Sequence, residues 1–212
     1  MKRLYIFFRN KIANTTIYWK YRHLIKSDVW NIYLQDQDNP ARKYYIKFCI
    51  KHNIKSVFEF GSASGPNLFL IKKFNPNIIA LGYDISKKAV ELGNENTNNN
   101  KIKFVNQLSL KIFKHFMSNN NINSFELSIY DRVLCLLNEN EVKNHFRIFS
   151  IFFNNIIIDD FHSLNPNNSS TYPKRNYIEI LEKFNFRLIE NKKSLRESPL
   201  NAARRLIFIK NA

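Results

Sequence analysis

A chain of 212 residues with a 44% hydrophobic share can bury one real core and carry a small extension, and it leaves no room for a second domain-sized unit. Its 33 basic and 17 acidic residues give a formal charge of +16; the lysines are scattered in a sequence heavy in Lys, Asn, Ile, Phe and Tyr, so the charge reads as compositional before it reads as a nucleic-acid or membrane patch. No apolar run approaches a transmembrane length, no Cys/His spacing suggests a zinc or other metal site, and Cys49 and Cys135 lie in apolar stretches as buried free thiols of a reducing compartment.

Residues 2–26 mix bases with aromatics, and Leu4, Phe8, Ile12, Thr15 and Trp19 fall at helical spacing. This predicts an N-terminal helix, or a pair, packed on the main domain; the alternative is a peripheral membrane contact, basic on one face and aromatic on the other. Met1-Lys2-Arg3 before an apolar run begins like a signal peptide, but Arg9 and Lys11 interrupt it, so a cytoplasmic location is expected. Asp28 precedes a short helix beginning at Val29, and Pro40 opens another over 41–52. Residues 1–53 are therefore expected to form a helical extension and 54–212 the main domain.

The stretch from Ser56 to Ile71 organises the rest. Val57 to Phe60 is a short apolar run carrying one acid, Glu59; a glycine-bounded turn follows, and then a helical stretch. Gly61 lets the backbone turn sharply and approach a ligand, Gly65 lets the helix start lie close to the strand, and Pro66 suits a first helical turn. A second apolar run, Ile78 to Tyr83, ends in Asp84. An acid at that place accepts hydrogen bonds from ribose hydroxyls in nucleoside-binding βαβ units. Glu59, directly before the turn, would repel a dinucleotide's pyrophosphate and attract a cation.

The run Glu59-Phe60-Gly61-Ser62-Ala63-Ser64-Gly65 resembles the first motif of class I S-adenosylmethionine-dependent methyltransferases, acid-x-Gly-x-Gly-x-Gly, with Ala63 where the middle glycine often stands. The resemblance extends from about Ile54 onward. It implies S-adenosylmethionine as cofactor, with Glu59 on the methionine amino group, Gly61, Ser62, Ala63 and Gly65 forming the close-approach turn, and Asp84 with Ile85 at the ribose. It also implies that the extension closes over the cofactor as a lid, making Trp30, Tyr33 and Arg42 candidate acceptor contacts.

Further along, Ser86 caps a helix through Leu92 that Gly93-Asn94 should end, and 102–105 reads as a third strand. The resemblance places an adenine contact just beyond it, where Asn106 stands. A helix over 110–117 leads to a fourth strand, 125–130, followed at once by Asp131 and Arg132. A helix over 138–149 precedes a fifth strand, 154–162, tipped by Asp160 and His162. Residues 164–174 read as a loop and 176–184 as a helix; 186–190 and 205–209 read as two antiparallel strands joined by a long polar loop. The expected fold is α/β: a doubly wound, mostly parallel seven-stranded sheet, Rossmann-like, with an N-terminal helical extension.

Methyl transfer to a hydroxyl or amine needs a base for the acceptor proton, and Asp131, Asp160 and His162 are the candidates, with Arg132 beside them orienting the acceptor. The stretches 29–31 and 38–42 resemble small bacterial methyltransferases of surface-polysaccharide and secondary biosynthesis. This points to a small polar acceptor such as a sugar precursor. The alternatives are an RNA methyltransferase, raised by the charge, and a non-catalytic cofactor-binding or scaffold protein of the same fold.

Overall fold

The computed structural model describes residues 16–25, 28–97, 101–164, 174–196 and 203–211. The expected helix over the first fifteen residues and most of the loop at 164–174 lie outside these. Three helices precede the sheet: α1 (Thr16–Ile25), α2 (Val29–Gln35) and α3 (Pro40–Lys51). Then come β1 (Ser56–Phe60), α4 (Pro66–Phe74), β2 (Ile79–Tyr83), α5 (Lys87–Glu95), β3 (Ile102–Val105), α6 (Leu110–Asn119), β4 (Phe125–Asp131), α7 (Glu139–Phe149), β5 (Phe153–Phe161), α8 (Tyr177–Glu182), β6 (Phe186–Lys193) and β7 (Ala203–Lys210).

The seven strands form one sheet in the order β3-β2-β1-β4-β5-β7-β6. The first five are parallel, and β7 pairs antiparallel with both β5 and β6. The chain starts at the centre, winds outward to β3, then crosses back to β4. The order therefore reverses between β1 and β4, where the strand ends splay apart into a crevice that binds ligands in open α/β sheets.

The sheet is buried on both faces, as central parallel strands require. Ile156 and Ile158 of β5 join Phe58, Phe113 and Phe153 on one side, whereas Ile157 joins Val57, Leu68 and Ile129 on the other. Helix α3 belongs to this second cluster through Ala41, Tyr45, Ile46, Phe48 and Cys49. It is packed into the core of the sheet domain. Both cysteines are buried free thiols.

The helix expected to stop at Gly93-Asn94 continues to Glu95. Asn94 uses its side chain to pair with the backbone of Phe104 in β3, donating to its carbonyl and accepting from its N–H, both at 3.0 Å. Gly93 is a packing residue there, because a Cβ would come within 2.9 Å of the Phe104 ring. Strand β6 also outruns its expected end and reaches Lys193, which brings the segment after it back over the sheet's C-terminal edge. Among the described residues no helix is long and apolar enough to cross a membrane, and no cluster of three or more His, Cys, Asp or Glu could hold a metal ion.

Candidate active site

A cleft opens at the C-terminal ends of β1, β2 and β4, roofed by α1 and α2. Its floor is the glycine turn. Gly61 and Gly65 sit at φ +78° and +89°, and Ala63 between them at +51°. The turn is held from below by β2: Gly61 and Ser62 both donate backbone N–H groups to the Tyr83 carbonyl, at 2.7 and 2.9 Å. Asp84 holds it from the side. One carboxylate oxygen accepts from the Ala63 N–H and the other from the Ser86 N–H, each at 2.8 Å. Each oxygen has a second lone pair, so the carboxylate can still accept hydroxyl donors. Burial pushes Asp84 up to about 6 against the two N–H groups that favour its charged form.

Ala63 has a physical reason to be more than a glycine. Its methyl packs into a small cluster with Val29, Trp30 and Ala89, which seats α2 on the turn. Ser64 adds a hydrogen bond from its hydroxyl to the Trp30 carbonyl at 2.7 Å. In this way the roof is keyed to the floor. Trp30 and Tyr33 stack at 5.9 Å, and Arg22 of α1 lies over Trp19 and donates to the Tyr33 hydroxyl. Arg42, only 1% exposed, fastens α2 to α3 through the carbonyls of Tyr33 and Asp36 and an ion pair with the Asp36 side chain. Its Nε lies buried without a hydrogen-bond partner.

Glu59 is the most perturbed acid of the cleft. It is 1% exposed, and Asn67 donates to its Oε1 at 2.6 Å. Oε2 is buried without a partner. Burial pushes its pKa up to about 8, with the Asn67 bond acting in the opposite direction. A buried carboxylate oxygen lacking a donor is costly. It fits a site completed by a cationic or N–H-bearing ligand.

On the far wall Asp131 ends β4. Its Oδ2 accepts from Arg196, and its Oδ1 is buried without a partner. Arg132 follows at φ +56°. It reaches Asp159 through Nε at 3.3 Å and Ser194 through Nη2 at 3.1 Å, with its cation over the Phe161 ring. Burial, and Asp131 nearby, push Asp159 up to about 6.

Of the expected site residues, Glu59, Gly61, Ser62, Ala63, Asp84, Ile85, Asp131, Arg132, Trp30, Tyr33 and Arg42 line this cleft, and Gly65 shapes its turn from behind. Asn106 does not. It is exposed beyond β3 and outside the cleft lining. Asp160 and His162 also fall away from it, because neighbouring side chains of a strand point to opposite faces. The register pairs Asp131 with Asp159, which puts Asp159 on the cleft side and Asp160 on the other. There Asp160 accepts the N–H groups of Cys135 and Phe161 at 3.0 and 2.7 Å. His162 lies against the Arg175 carbonyl at 3.0 Å and stacks on Tyr177, and burial lowers its pKa. Sequence reasoning missed Asn67, Arg196 and the cleft contact of Trp19. Only Asn67, two residues after Gly65 at a helix start, had a local signal.

No protein-family model matches the chain, and no curated protein matches it in sequence. Solved structures do. Magnesium protoporphyrin IX methyltransferase from Synechocystis PCC 6803, with bound S-adenosylmethionine, superposes at a TM-score of 0.67 and 11% identity over 95% of this chain and 97% of that one. The plantazolicin methyltransferase, in complex with a monoazolic desmethylPZN analogue and S-adenosylhomocysteine, gives 0.57 and 15% over 96% and 99%. The mitomycin 7-O-methyltransferase gives 0.59 and 10%, with this chain spanning 60% of its length. The chain thus has the seven-stranded class I methyltransferase fold.

Proposed function

We propose that this chain is an S-adenosylmethionine-dependent methyltransferase acting on a small-molecule acceptor. The observation that carries the reading is Glu59: a buried carboxylate with one unpartnered oxygen, at the mouth of a left-handed turn tied to Asp84. Those groups fit the methyl donor. Glu59 would take its ammonium, Asp84 its ribose hydroxyls, and the buried Nε of Arg42 its carboxylate. Gly61 lets Val133 pack against the turn, since a Cβ there would press on its side chain at 2.5 Å. When bound, the cofactor supplies a methyl carbon already activated by the neighbouring positive sulfur. The chain's own task is to align an acceptor and keep water away. Trp19, Trp30 and Tyr33 cover the cleft, and the partly buried Val133, Leu136 and Leu137 form its acceptor side.

The neighbours named above support the same reading through what their names record: one acts at an oxygen, and one was solved with a desmethylPZN analogue beside S-adenosylhomocysteine. An apolar acceptor wall gives less support to a hydroxyl-rich sugar. Of the three expected bases, Asp131 is the one at the cleft. The test is isothermal calorimetry with S-adenosylmethionine, S-adenosylhomocysteine and NAD. The first two should bind saturably and NAD should not; tight NAD binding with no response to the methyl donor would overturn the reading.

A further inference from the structure

Helix α1 carries apolar side chains on two opposite faces, and the fold uses only one of them. At about 100° per residue, Tyr18, Trp19 and Arg22 share the inner side. Trp19 lines the cleft, and Arg22 lies over its ring at 4.4 Å while donating to the Tyr33 hydroxyl at 3.0 Å. Ile17, Lys20, Tyr21 and Leu24 share the outer side. There Ile17 is 69% exposed, Tyr21 47% and Leu24 74%. Single apolar residues are normal on a surface. Three in one stripe across two turns make a second apolar face, where a surface helix of a globular protein has one.

The charge around this face selects its partner. Residues 1–25 hold six Lys and Arg and no Asp or Glu, and all 17 acidic residues of the chain lie beyond residue 27. On the face itself Lys20 reaches over the Tyr21 ring, with Nζ 5.4 Å from its centroid. A second copy of the chain would bring the same formal charge of +16 against it and be repelled. A nucleic acid would take the lysine but leave Ile17 and Leu24 in water, because it offers charged phosphates and bases that stack on aromatics. An anionic lipid surface accepts all four side chains. Its headgroups attract Lys20 and the other bases, its acyl boundary takes Ile17 and Leu24, and Tyr21 has the apolar body and polar tip suited to the level between.

We propose that α1 docks this chain on an anionic lipid bilayer through Ile17, Lys20, Tyr21 and Leu24, lying in the plane of the interface. A helix of ten residues is far too short to span a bilayer, so the docking is peripheral and reversible and needs apolar burial and charge together. The cleft lies beneath the same helix, so docking puts a single helix, about 10–12 Å across, between the lipid and the site. The docking face is built from side chains that point away from the cleft, and it stands whatever the cleft binds.

The full chain should be sedimented with extruded vesicles of phosphatidylcholine alone and of an equal mixture of phosphatidylcholine and phosphatidylglycerol, at about 0.15 M salt. It should bind the mixture at least about tenfold more tightly. Ile17→Ser with Leu24→Ser should weaken binding to the mixture at least about tenfold and keep the melting temperature, since both side chains are exposed in the folded chain. Lys20→Gln should weaken it about fivefold. Ile17→Leu with Leu24→Ile, which keeps the apolar surface, should retain it. No binding to the mixture overturns the proposal. So does equal binding by the unmodified chain and the serine pair, which would mean that charge alone holds the chain there, and so does equal binding of the unmodified chain to both kinds of vesicle. If the serine pair instead abolishes self-association in sedimentation velocity, or RNA retention at the same salt, the face belongs to a second copy or to nucleic acid, and either result also overturns the proposal.

Discussion

On the proposed reading, in which Glu59 takes the donor's ammonium group, cofactor binding is linked to pH with a sign that can be worked out in advance. Burial places the Glu59 pKa at about 8 in the free protein, so at pH 7 only about one molecule in ten carries the charge that an ammonium group needs. Binding must draw the proton off. Between pH 8 and 6, affinity should therefore weaken about tenfold per unit, or about 1.4 kcal/mol. The cofactor's own amino group also titrates, and comparison with Glu59→Gln cancels that contribution. The quantity to plot is the ratio of dissociation constants for Glu59→Gln and the unmodified chain. It should be flat above pH 8 and fall toward one as pH drops. Calorimetry at pH 7 in buffers of different ionisation enthalpy should show nearly one proton released per cofactor bound to the unmodified chain. The free protein should behave in the opposite way. A folded pKa above the unfolded value of 4.5 means that stability from this group is full below about 4.5 and is lost as pH rises through about 8. A ratio independent of pH across 6–8 would refute the reasoning, since Glu59 would then be charged before the ligand arrives.

Other expectations follow from the same contacts. Asp84→Asn should weaken cofactor binding by about 1.5–3 kcal/mol per charged hydrogen bond lost and also lower the melting temperature, because Asp84 braces the turn through Ala63 and Ser86; unchanged affinity in a folded variant would remove its ribose role. Asp160→Asn should cost about 1–3 kcal/mol in thermal or urea unfolding, through the N–H groups it satisfies, while turnover by the folded remainder keeps its pH profile. If the surplus of 33 basic over 17 acidic residues is compositional, RNA retention in filter binding should vanish as salt rises through about 0.15 M; sub-micromolar affinity at that salt would favour an RNA acceptor.

The floor of the site could be read from sequence because three independent signals coincide there. An acid closes a short apolar run, glycines bound a turn, and a second apolar run ends in Asp84 after the spacing of one helix. Each signal is local, and the sheet order only brings them together. The far wall was less legible. In Asp159-Asp160 the sequence shows two adjacent acids, but which one faces the cleft depends on pairing with Asp131, a long-range register. Arg196 lies in a polar stretch with no periodicity. It becomes a site residue only because β6 runs on to Lys193 and turns the following residues back over β4. Gly93 misled as a helix stop because its reason is steric contact with another strand.

The chain has four glycines, and three of them abut one aromatic ring: a Cβ at Gly65, Gly82 or Gly93 would collide with Phe104. These positions cannot drift independently. In any lineage of related sequences, alanine at Gly82 or Gly93 should become tolerable only after Phe104 has shrunk, and reversion to phenylalanine should then be blocked. Gly65 stays fixed in either background, since its φ of +89° excludes side chains whatever space is freed. The order of historical substitutions around the glycine turn is thus constrained by a side chain on β3, three strands along the sheet from Asp131 at the end of β4.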